Sequence, residues 1–380
     1  MYYITVKLPP FTHQMTLEEL FFGTYKQVHI STSDANTRTY AVDYISNRFR
    51  NRIDVPHLLY VLKNFNDSTE ELRKEDRHKL YREFSIPKKS GGLRKIAAPN
   101  DELMLALRRL KEIFEVEFGA LYHTAAFAYI KHRSTVDCIK RHQQNESKWF
   151  AKFDLSNFFG STTIEYVMKM LGMVFPFCLL TSTEEGYKEL YKAVELAFLD
   201  GGLPQGTPIS PLITNIIMIP VDYYLSNTLR DYDKKNFIYT RYADDFQISC
   251  KYDFNFRDIE NLIKTSLNDF GAPFNINEKK SRYGSSAGKN YNLGIMLNSK
   301  NEMTIGHKKK KAFEAMLFNY AKDKCNNIKW SLEDIQTLEG LRNYYTMIEG
   351  ETINRIIKHL SNKTEIDIID SIRKDLKGVF

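Results

Sequence analysis

Tyr242-Ala243-Asp244-Asp245 stands inside Phe237-Ile-Tyr-Thr-Arg-Tyr-Ala-Asp-Asp-Phe-Gln-Ile-Ser-Cys250, so two adjacent carboxylates interrupt a run of strand-forming residues. Tyr, Phe, Ile and Thr favour a pleated, half-buried surface where Asp is depleted. The pair is therefore expected at the tip of a tight hairpin that pushes both carboxylates into a site. Like charges this close repel, and a divalent cation is the usual remedy. An ordinary hairpin whose tip reads Ala-Asp-Asp is the plainer alternative, because Asp is common in turns. A third carboxylate favours the functional reading: Lys148-Trp-Phe-Ala-Lys-Phe-Asp154-Leu-Ser-Asn-Phe-Phe159 reads as a short strand that ends in Asp154 before a Ser/Asn-rich turn. A strand-end Asp beside a hairpin-tip Asp-Asp in one sheet would bring three acids together despite their distance in sequence.

The elements that must position them follow from pattern. Thr16-Leu-Glu-Glu19 has capping-box spacing and opens a short helix, and Leu58 to Leu62 suggests another. Ser85 to Ala97 reads as a hairpin turning at Gly91-Gly92. Asn100 caps a helix whose Leu103, Leu107, Leu110 and Phe114 share a stripe. A helix is expected from about Thr162, and Gly201 to Pro208 is a loop feeding a long apolar helix through Asn227. After the Asp-Asp hairpin come a helix near Asp258 to Phe270, a Lys-rich turn, a strand pair around Leu293 to Ile305, and a mostly helical tail. Strands and helices mix without strict alternation, which argues for α+β around an antiparallel sheet.

With 380 residues and 43% hydrophobic content the chain can bury a sizeable core in two or three subdomains. The net charge of +7 is unevenly spread. Basic residues cluster at Arg48, Arg50 and Arg52, from Arg73 to Lys95, from Lys131 to Arg141, from Lys279 to Arg282 and from Lys308 to Lys311. Interleaved with 23 Tyr and 25 Phe, they suit a surface that tracks a phosphate backbone and stacks bases. Any single cluster could equally be a solvated face. The four cysteines Cys138, Cys178, Cys250 and Cys325 have no metal-ligand spacing, which fits a reducing cytoplasm. No signal segment or uninterrupted apolar span points to secretion or a membrane.

Taken in order, Ile86-Pro-Lys-Lys89 with Leu93-Arg94, Phe153-Asp154 with Phe158-Phe159, Leu203-Pro-Gln-Gly206, Tyr242-Ala-Asp-Asp245, Asn277-Glu-Lys-Lys280 and Leu293-Gly294 resemble the successive motifs of a reverse transcriptase. The resemblance implies an α+β right-hand polymerase fold. Residues 1–80 would form a partly helical N-terminal extension, 81–150 the fingers and the start of the palm, 151–300 the palm and primer grip, and 301–380 a helical thumb. It implies RNA-templated DNA synthesis from dNTPs on an RNA template and DNA primer. In-line attack of a primer 3′-hydroxyl on the α-phosphate uses two Mg2+ about 3.5–4 Å apart, with Mn2+ able to substitute, and hard oxygen ligands. Asp154 and Asp244 are expected to bridge the metals, with Asp245 completing the cluster.

Residue by residue, the resemblance puts Phe159 under the sugar, where its ring would exclude a 2′-hydroxyl; an ordinary core Phe is the alternative. Gln205 would line the nucleotide pocket, or else sit on a turn that binds nothing, and Gly206 would let the backbone come close to the ligand. Lys88, Lys89 and Arg94 would close on the triphosphate, Arg94 in bidentate fashion. Lys280 would protonate the leaving pyrophosphate, unless it is a solvated turn lysine. Leu293 and Gly294 would carry the primer grip, and Tyr242 would pack beneath the primer terminus. Tyr344 and Tyr345 either stack on the duplex or belong to the thumb core.

The chain's length fits compact bacterial enzymes of the retron and defence-associated groups, and no ribonuclease H, endonuclease or maturase segment has room after Phe380. The Pro-Gln-Gly loop disfavours the diversity-generating type. Retron enzymes carry Asn-Ala-x-x-His and Val-Thr-Gly signatures, whereas this chain has Cys138-Ile-Lys-Arg-His142 and Asn292-Leu-Gly-Ile-Met-Leu-Asn298, matching at His142 and Gly294. These departures point to a defence-associated enzyme that copies a partner non-coding RNA in response to phage. Retron-type RNA-linked DNA synthesis and template-independent or protein-primed synthesis stay open. Residues 1–80 would bind that RNA or form an oligomer or accessory-protein contact. A non-enzymatic RNA-binding scaffold is disfavoured, because Asp154, Asp244, Asp245, Gln205, Arg94 and Lys280 are each dispensable for mere binding.

Overall fold

The computed structural model describes residues 3–7, 32–34, 37–41, 54–88, 91–119, 122–233, 235–286 and 292–378. The helix expected at Thr16 to Glu19, the basic cluster at Arg48, Arg50 and Arg52, and Lys89 lie outside the described residues.

In chain order the strands are β1 (Tyr3–Lys7), β2 (Thr32–Asp34), β3 (Thr37–Ala41), β4 (Tyr81–Pro87), β5 (Leu93–Pro99), β6 (Trp149–Ser156), β7 (Ile238–Tyr242), β8 (Asp245–Cys250), β9 (Asn275–Ile276), β10 (Arg282–Ser285), β11 (Met296–Leu297) and β12 (Met303–Thr304). The helices are α1 (Val55–Ser68), α2 (Glu70–Lys74), α3 (Asp101–Glu112), α4 (Thr135–Gln144), α5 (Phe158–Ser161), α6 (Ile164–Leu171), α7 (Phe177–Thr181), α8 (Glu184–Glu195), α9 (Ser210–Ile217), α10 (Ile219–Asp231), α11 (Phe256–Asp269), α12 (His307–Cys325), α13 (Leu332–Thr364) and α14 (Ile368–Leu376). The α+β expectation holds. Strands β10-β6-β8-β7 are neighbours in that order, and β9 pairs antiparallel with the end of β6. Among the described residues no helix is long and apolar enough to cross a membrane.

Two compact units are discontinuous in sequence: Met1–Arg133 with Lys152–Ile248 and Asn255–Arg282, and Ser134–Ala151 with Ser249–Phe254 and Tyr283–Phe380. In the first unit, local signals explain the element ends. The Asn100 carboxamide accepts from Leu103 N at 2.9 Å to start α3, and Thr163 does the same for α6 through Tyr166 N. Strands β4 and β5 pair antiparallel from Tyr81↔Pro99 to Pro87↔Leu93, and the turn beyond them uses positive φ at Gly91 and Gly92. The long apolar helix expected through Asn227 is instead two helices. Pro220, in the first turn of α10, has no N–H to continue the ladder and its ring opposes the preceding turn, so α9 stops at Ile217. Phe153, Phe246, Ile216 and Leu225 are wholly buried in this unit's core. Each such side chain contributes about 1.5–3 kcal/mol on leaving water.

The second unit's core joins Ile139 of α4 and Phe150 of β6 to Ile295, Leu317 of α12, Leu338 and Ile357 of α13, and Ile372 of α14. Helix α13 departs from helical geometry at Glu349, whose buried carboxylate accepts from Ile305 N at 2.5 Å and from Lys310 Nζ at 2.9 Å. His142 is fully buried against Ser249 at 2.6 Å, and Ser249 donates on to Ser147 at 2.7 Å. Burial pushes the His142 imidazole down to about 3, so the ring is neutral in the fold. Tyr345 meets Phe313 edge-on at 5.2 Å and Tyr344 donates to Leu293 O at 3.3 Å, so both tyrosines are tied into this unit.

Candidate active site

The Asp-Asp pair occupies the connection expected of it. Ala243 and Asp244 are the two residues between β7 and β8, and Ala243 is left-handed at φ 57°. A two-residue hairpin turn with positive φ at its first central position normally takes Gly there, so an Ala costs about 1 kcal/mol that its surroundings must offset. Arg241 supplies the support. Its guanidinium, wholly buried, donates to the Ala243 carbonyl at 3.1 Å, to Asn215 Oδ1 at 3.2 Å and in bidentate fashion to Asp222 at 2.8 Å on both oxygens. Tyr239 also donates to Asp222, at 2.7 Å. On the outer side of β7, Arg241 exchanges backbone hydrogen bonds with Ala125 and Phe127, and Asn215 donates to Ala128 O at 2.7 Å.

Backbone bonds then bring Asp154 to the turn. Leu155 N donates to Asp244 O at 3.1 Å, and Asn277 N donates to Asp154 O at 2.7 Å. The same β9 turn delivers Lys280, whose Nζ lies 3.0 and 2.9 Å from the two Asp154 oxygens. Lys152, two residues before Asp154, pairs with Asp245 Oδ2 at 2.8 Å. Among the described residues no Lys or Arg forms an ion pair with Asp244. Burial, with Asp245 and then Asp154 adding to it, pushes the Asp244 carboxyl up to about 6. Burial also raises Asp245, against the pull of Lys152.

A cleft of about 1410 Å³ opens over these groups. Asp154, Asp244 and Lys280 line it, together with Lys88 and Arg94 of the β4–β5 hairpin, Phe159 of α5, and Gln205 and Gly206. Asp245 and Tyr242 are not among its lining residues, and Leu293 and Gly294 belong to the second unit. The Leu203–Gly206 loop is pinned at both ends: Leu203 N donates to Phe159 O at 3.0 Å, and Ala97 N of β5 donates to Gln205 O at 2.9 Å. A Cβ on Gly206, at φ 120°, would stand 2.9 Å from Ala97 O, so the close approach this glycine permits is to β5. Leu293 and Gly294, both at positive φ, form a two-residue turn inside the Asn292–Ile295 bridge, and Lys309 Nζ donates to Gly294 O at 2.8 Å.

The donor set fits divalent cations. Three carboxylates meet only two ammonium groups, which leaves the cleft-lining Asp244 with no ion-pair partner among the described residues. Hard carboxylate oxygens are the ligands that Mg2+ and Mn2+ select. The exposed trio His78, Glu83 and Asp200 also gathers three ligand atoms within 4.8 Å, but His78 already meets Asp200, and Lys95 meets Glu83. Arg241, Asp222, Lys152 and the cleft-lining Tyr129 are site residues that sequence reasoning missed. An Asp among the apolar residues of the first turns of α10 and a lone Arg in β7 are the available signal for the first two.

The reverse transcriptase (RNA-dependent DNA polymerase) family profile matches residues 86–316. The retron Ec83 reverse transcriptase of Escherichia coli is 30% identical over 316 residues, covering 78% of this chain and 91% of the relative. The retron Ec73 reverse transcriptase of the same species is 33% identical over 212 residues, covering 54% of this chain and 65% of the relative. The retron Mx65 reverse transcriptase of Myxococcus xanthus is 25% identical over 305 residues, covering 75% and 65%. These relatives are retron enzymes even though Cys138–His142 and Asn292–Asn298 depart from the retron signatures.

The raised Asp244 carboxyl gives a signed expectation. In metal-free protein the protonated acid is favoured by the fold, so its contribution is complete below about pH 4 and is lost as pH rises through about 6. Allowing for partial solvent access, the loss is about 1–2 kcal/mol. Urea denaturation in chelator at pH 4.5 and 7 should show that Asp244→Asn lacks this component, and identical pH dependence in variant and wild type would contradict it.

Proposed function

The chain belongs to the reverse transcriptase family and is an RNA-directed DNA polymerase of the retron type, and from that premise we propose that Asp154 and Asp244 are the metal-bridging ligands of a two-metal nucleotidyl transfer site, with Asp245 completing the acidic cluster. The observation that carries the proposal is the convergence of Asp154, Asp244, Lys280, Arg94, Phe159 and Gln205 on one cleft. Reverse transcriptases use divalent metal ions, and two Mg2+ bound here would activate the primer hydroxyl and stabilise the leaving oxygens. Mn2+ is the expected substitute.

The chain's own groups supply the rest. Arg94 and Lys88, with Lys89, meet the triphosphate as it enters beneath the hairpin, Arg94 through paired N–H donors. Phe159 is held by the Leu203 hydrogen bond to its carbonyl and by an edge-on contact with Phe158 at 5.7 Å, so its ring can act as a fixed sugar gate. Gln205, with its backbone tied to β5, presents its carboxamide to the nucleotide. Lys280 donates to Asp154 and is more than half exposed, leaving its ammonium able to turn and protonate the departing pyrophosphate. Tyr242 is assigned the floor beneath the primer terminus, and the Leu293–Gly294 turn the primer grip. Residues 81–150 then act as fingers and the start of the palm, 151–300 as palm, and 301–380 as thumb.

The substrate pair we assign is a cognate non-coding RNA as template and single-stranded DNA as product, made in defence against phage in the cytoplasm. The basic clusters and retron relatives support this reading, and residues 1–80 are assigned the RNA or a homo-oligomer or accessory-protein contact.

Primer extension on an RNA template should give product with dNTPs and divalent metal. Asp244→Asn should lower the rate by about 10³-fold or more, and Phe159→Ala should admit ribonucleotides. Full activity in Asp244→Asn would sink the metal-site reading, and unchanged ribonucleotide rejection would remove Phe159 as the gate. Sequencing nucleic acid that co-purifies from phage-challenged cells should return one discrete RNA with DNA copied from it. A random RNA population would contradict the cognate template, and unaltered phage survival in cells expressing Asp244→Asn would contradict the defence role.

A further inference from the structure

We propose that Lys152 is a positioning residue that withholds Asp245 from the metal-ligand set and thereby sets which divalent cation the site prefers. The inference rests on the reading of Asp154 and Asp244 as the metal ligands and goes beyond it by separating the third carboxylate from them.

The geometry is specific. Lys152 and Asp154 are two residues apart on β6, and residues so spaced share one face of a strand. The Lys152 ammonium reaches across to Asp245 at the start of β8, with Nζ 2.8 Å from Oδ2. Both side chains are largely enclosed, 25% and 19% exposed, whereas the second lysine of the cluster, Lys280, is 54% exposed. Asp154 and Asp244 line the cleft and Asp245 does not. One acid of the three is therefore drawn back into the sheet by a fixed cation, while the other two face the cleft.

The consequence follows from how cations choose ligands. Mg2+ demands six ligands in near-octahedral array and keeps several waters, so two carboxylates suit it. Ca2+ accepts six to eight oxygens in flexible geometry and gains most from an added carboxylate. With Lys152 in place, Asp245 contributes charge to the site without contributing an oxygen. Without Lys152, Asp245 is released to turn both oxygens toward the metals, and a positive charge is removed at the same time. Ca2+ binding should then tighten more than Mg2+ binding. A lysine that served the fold alone would change stability and leave the ratio of the two affinities where it was.

The test uses the full chain without nucleic acid or nucleotide. Tb3+ luminescence at the site is displaced by Mg2+ or by Ca2+ in wild type, Lys152→Met, Lys152→Arg and the double variant Lys152→Met with Asp245→Asn. Lys152→Met should tighten Ca2+ by ~10-fold and Mg2+ by less than ~3-fold, because only Ca2+ readily accommodates the released acid. Lys152→Arg, which keeps a cation on Asp245, should retain the wild-type ratio, and the double variant should lose the Ca2+ gain. An unchanged ratio in Lys152→Met, a Ca2+ gain that survives Asp245→Asn, or a Ca2+ gain in Lys152→Arg overturns the proposal. If Lys152→Met does not fold, Lys152→Arg and Asp245→Asn decide it: a shifted ratio in the first, or a Ca2+ gain in the second, overturns the proposal. Wild-type Tb3+ binding that persists in Asp244→Asn would instead overturn the underlying reading of the metal site, which keeps the two failures apart.

Discussion

A guanidinium with no access to water, Arg241, holds the turn on which the site is built. Its bidentate pairing with Asp222 satisfies a charge that would otherwise cost several kcal/mol to bury, and removal of either partner would leave the other stranded, at about 3–5 kcal/mol. With the charge met, the remaining N–H groups can be aimed at Asn215 and at the Ala243 carbonyl. That last bond supports a left-handed alanine where glycine would be easier, and so fixes the direction in which Asp244 leaves the hairpin. The bond from Leu155 to the Asp244 carbonyl then locks the β6 end carrying Asp154 to the same turn. Rigidity of this kind is what a transfer site needs, since donors must already be in place when charge develops.

Around this fixed turn, electrostatics is left deliberately unbalanced. Two lysines serve three carboxylates, and the acid without an ion-paired lysine, Asp244, is pushed toward protonation by burial and by its acidic neighbours. The imbalance is a demand for cations, which the family meets with divalent metals. The walls of the cleft are tied to the same frame. Gly202 approaches Gly160 so closely that a Cβ would come within 2.3 Å of its carbonyl oxygen, and a Cβ on Gly206 would stand 2.9 Å from Ala97 O of β5. The Pro-Gln-Gly loop is thereby joined to the Phe159 turn on one side and to the Arg94 hairpin on the other.

Much of this was legible in the sequence because it is local. Period, capping residues and turn chemistry located α1, α3, α6, the β4–β5 hairpin and the β7–β8 turn, and the order of six short motifs tied them to one family. The cleft also gathers many of the residues that those motifs single out, among them Asp154, Phe159, Gln205, Asp244, Lys280 and Arg94, but not Asp245 or Tyr242. What escaped depends on contacts that pattern does not encode. Asp222 and Arg241 are nineteen residues apart on a helix and a strand, and nothing short of the fold says that they meet. The apolar run continues through Pro220, so its period alone predicts one helix, although the missing N–H breaks it. Gly206 lines the cleft, and its close packing on Ala97 of β5 is a contact that no local pattern encodes. The Lys152–Asp245 pair joins two strands, and its lysine looked like any other in a basic chain.

The central claim is that Asp154 and Asp244, held together by the Arg241-supported turn, bind the metals of nucleotidyl transfer. Anomalous diffraction at the manganese edge, from crystals of the protein with Mn2+, an RNA–DNA primer duplex and a non-hydrolysable dNTP, tests it most directly. Two manganese peaks, each within ligand distance of both Asp154 and Asp244, are the predicted result. Peaks bound elsewhere, or a bound nucleotide with no manganese touching either carboxylate, would contradict it.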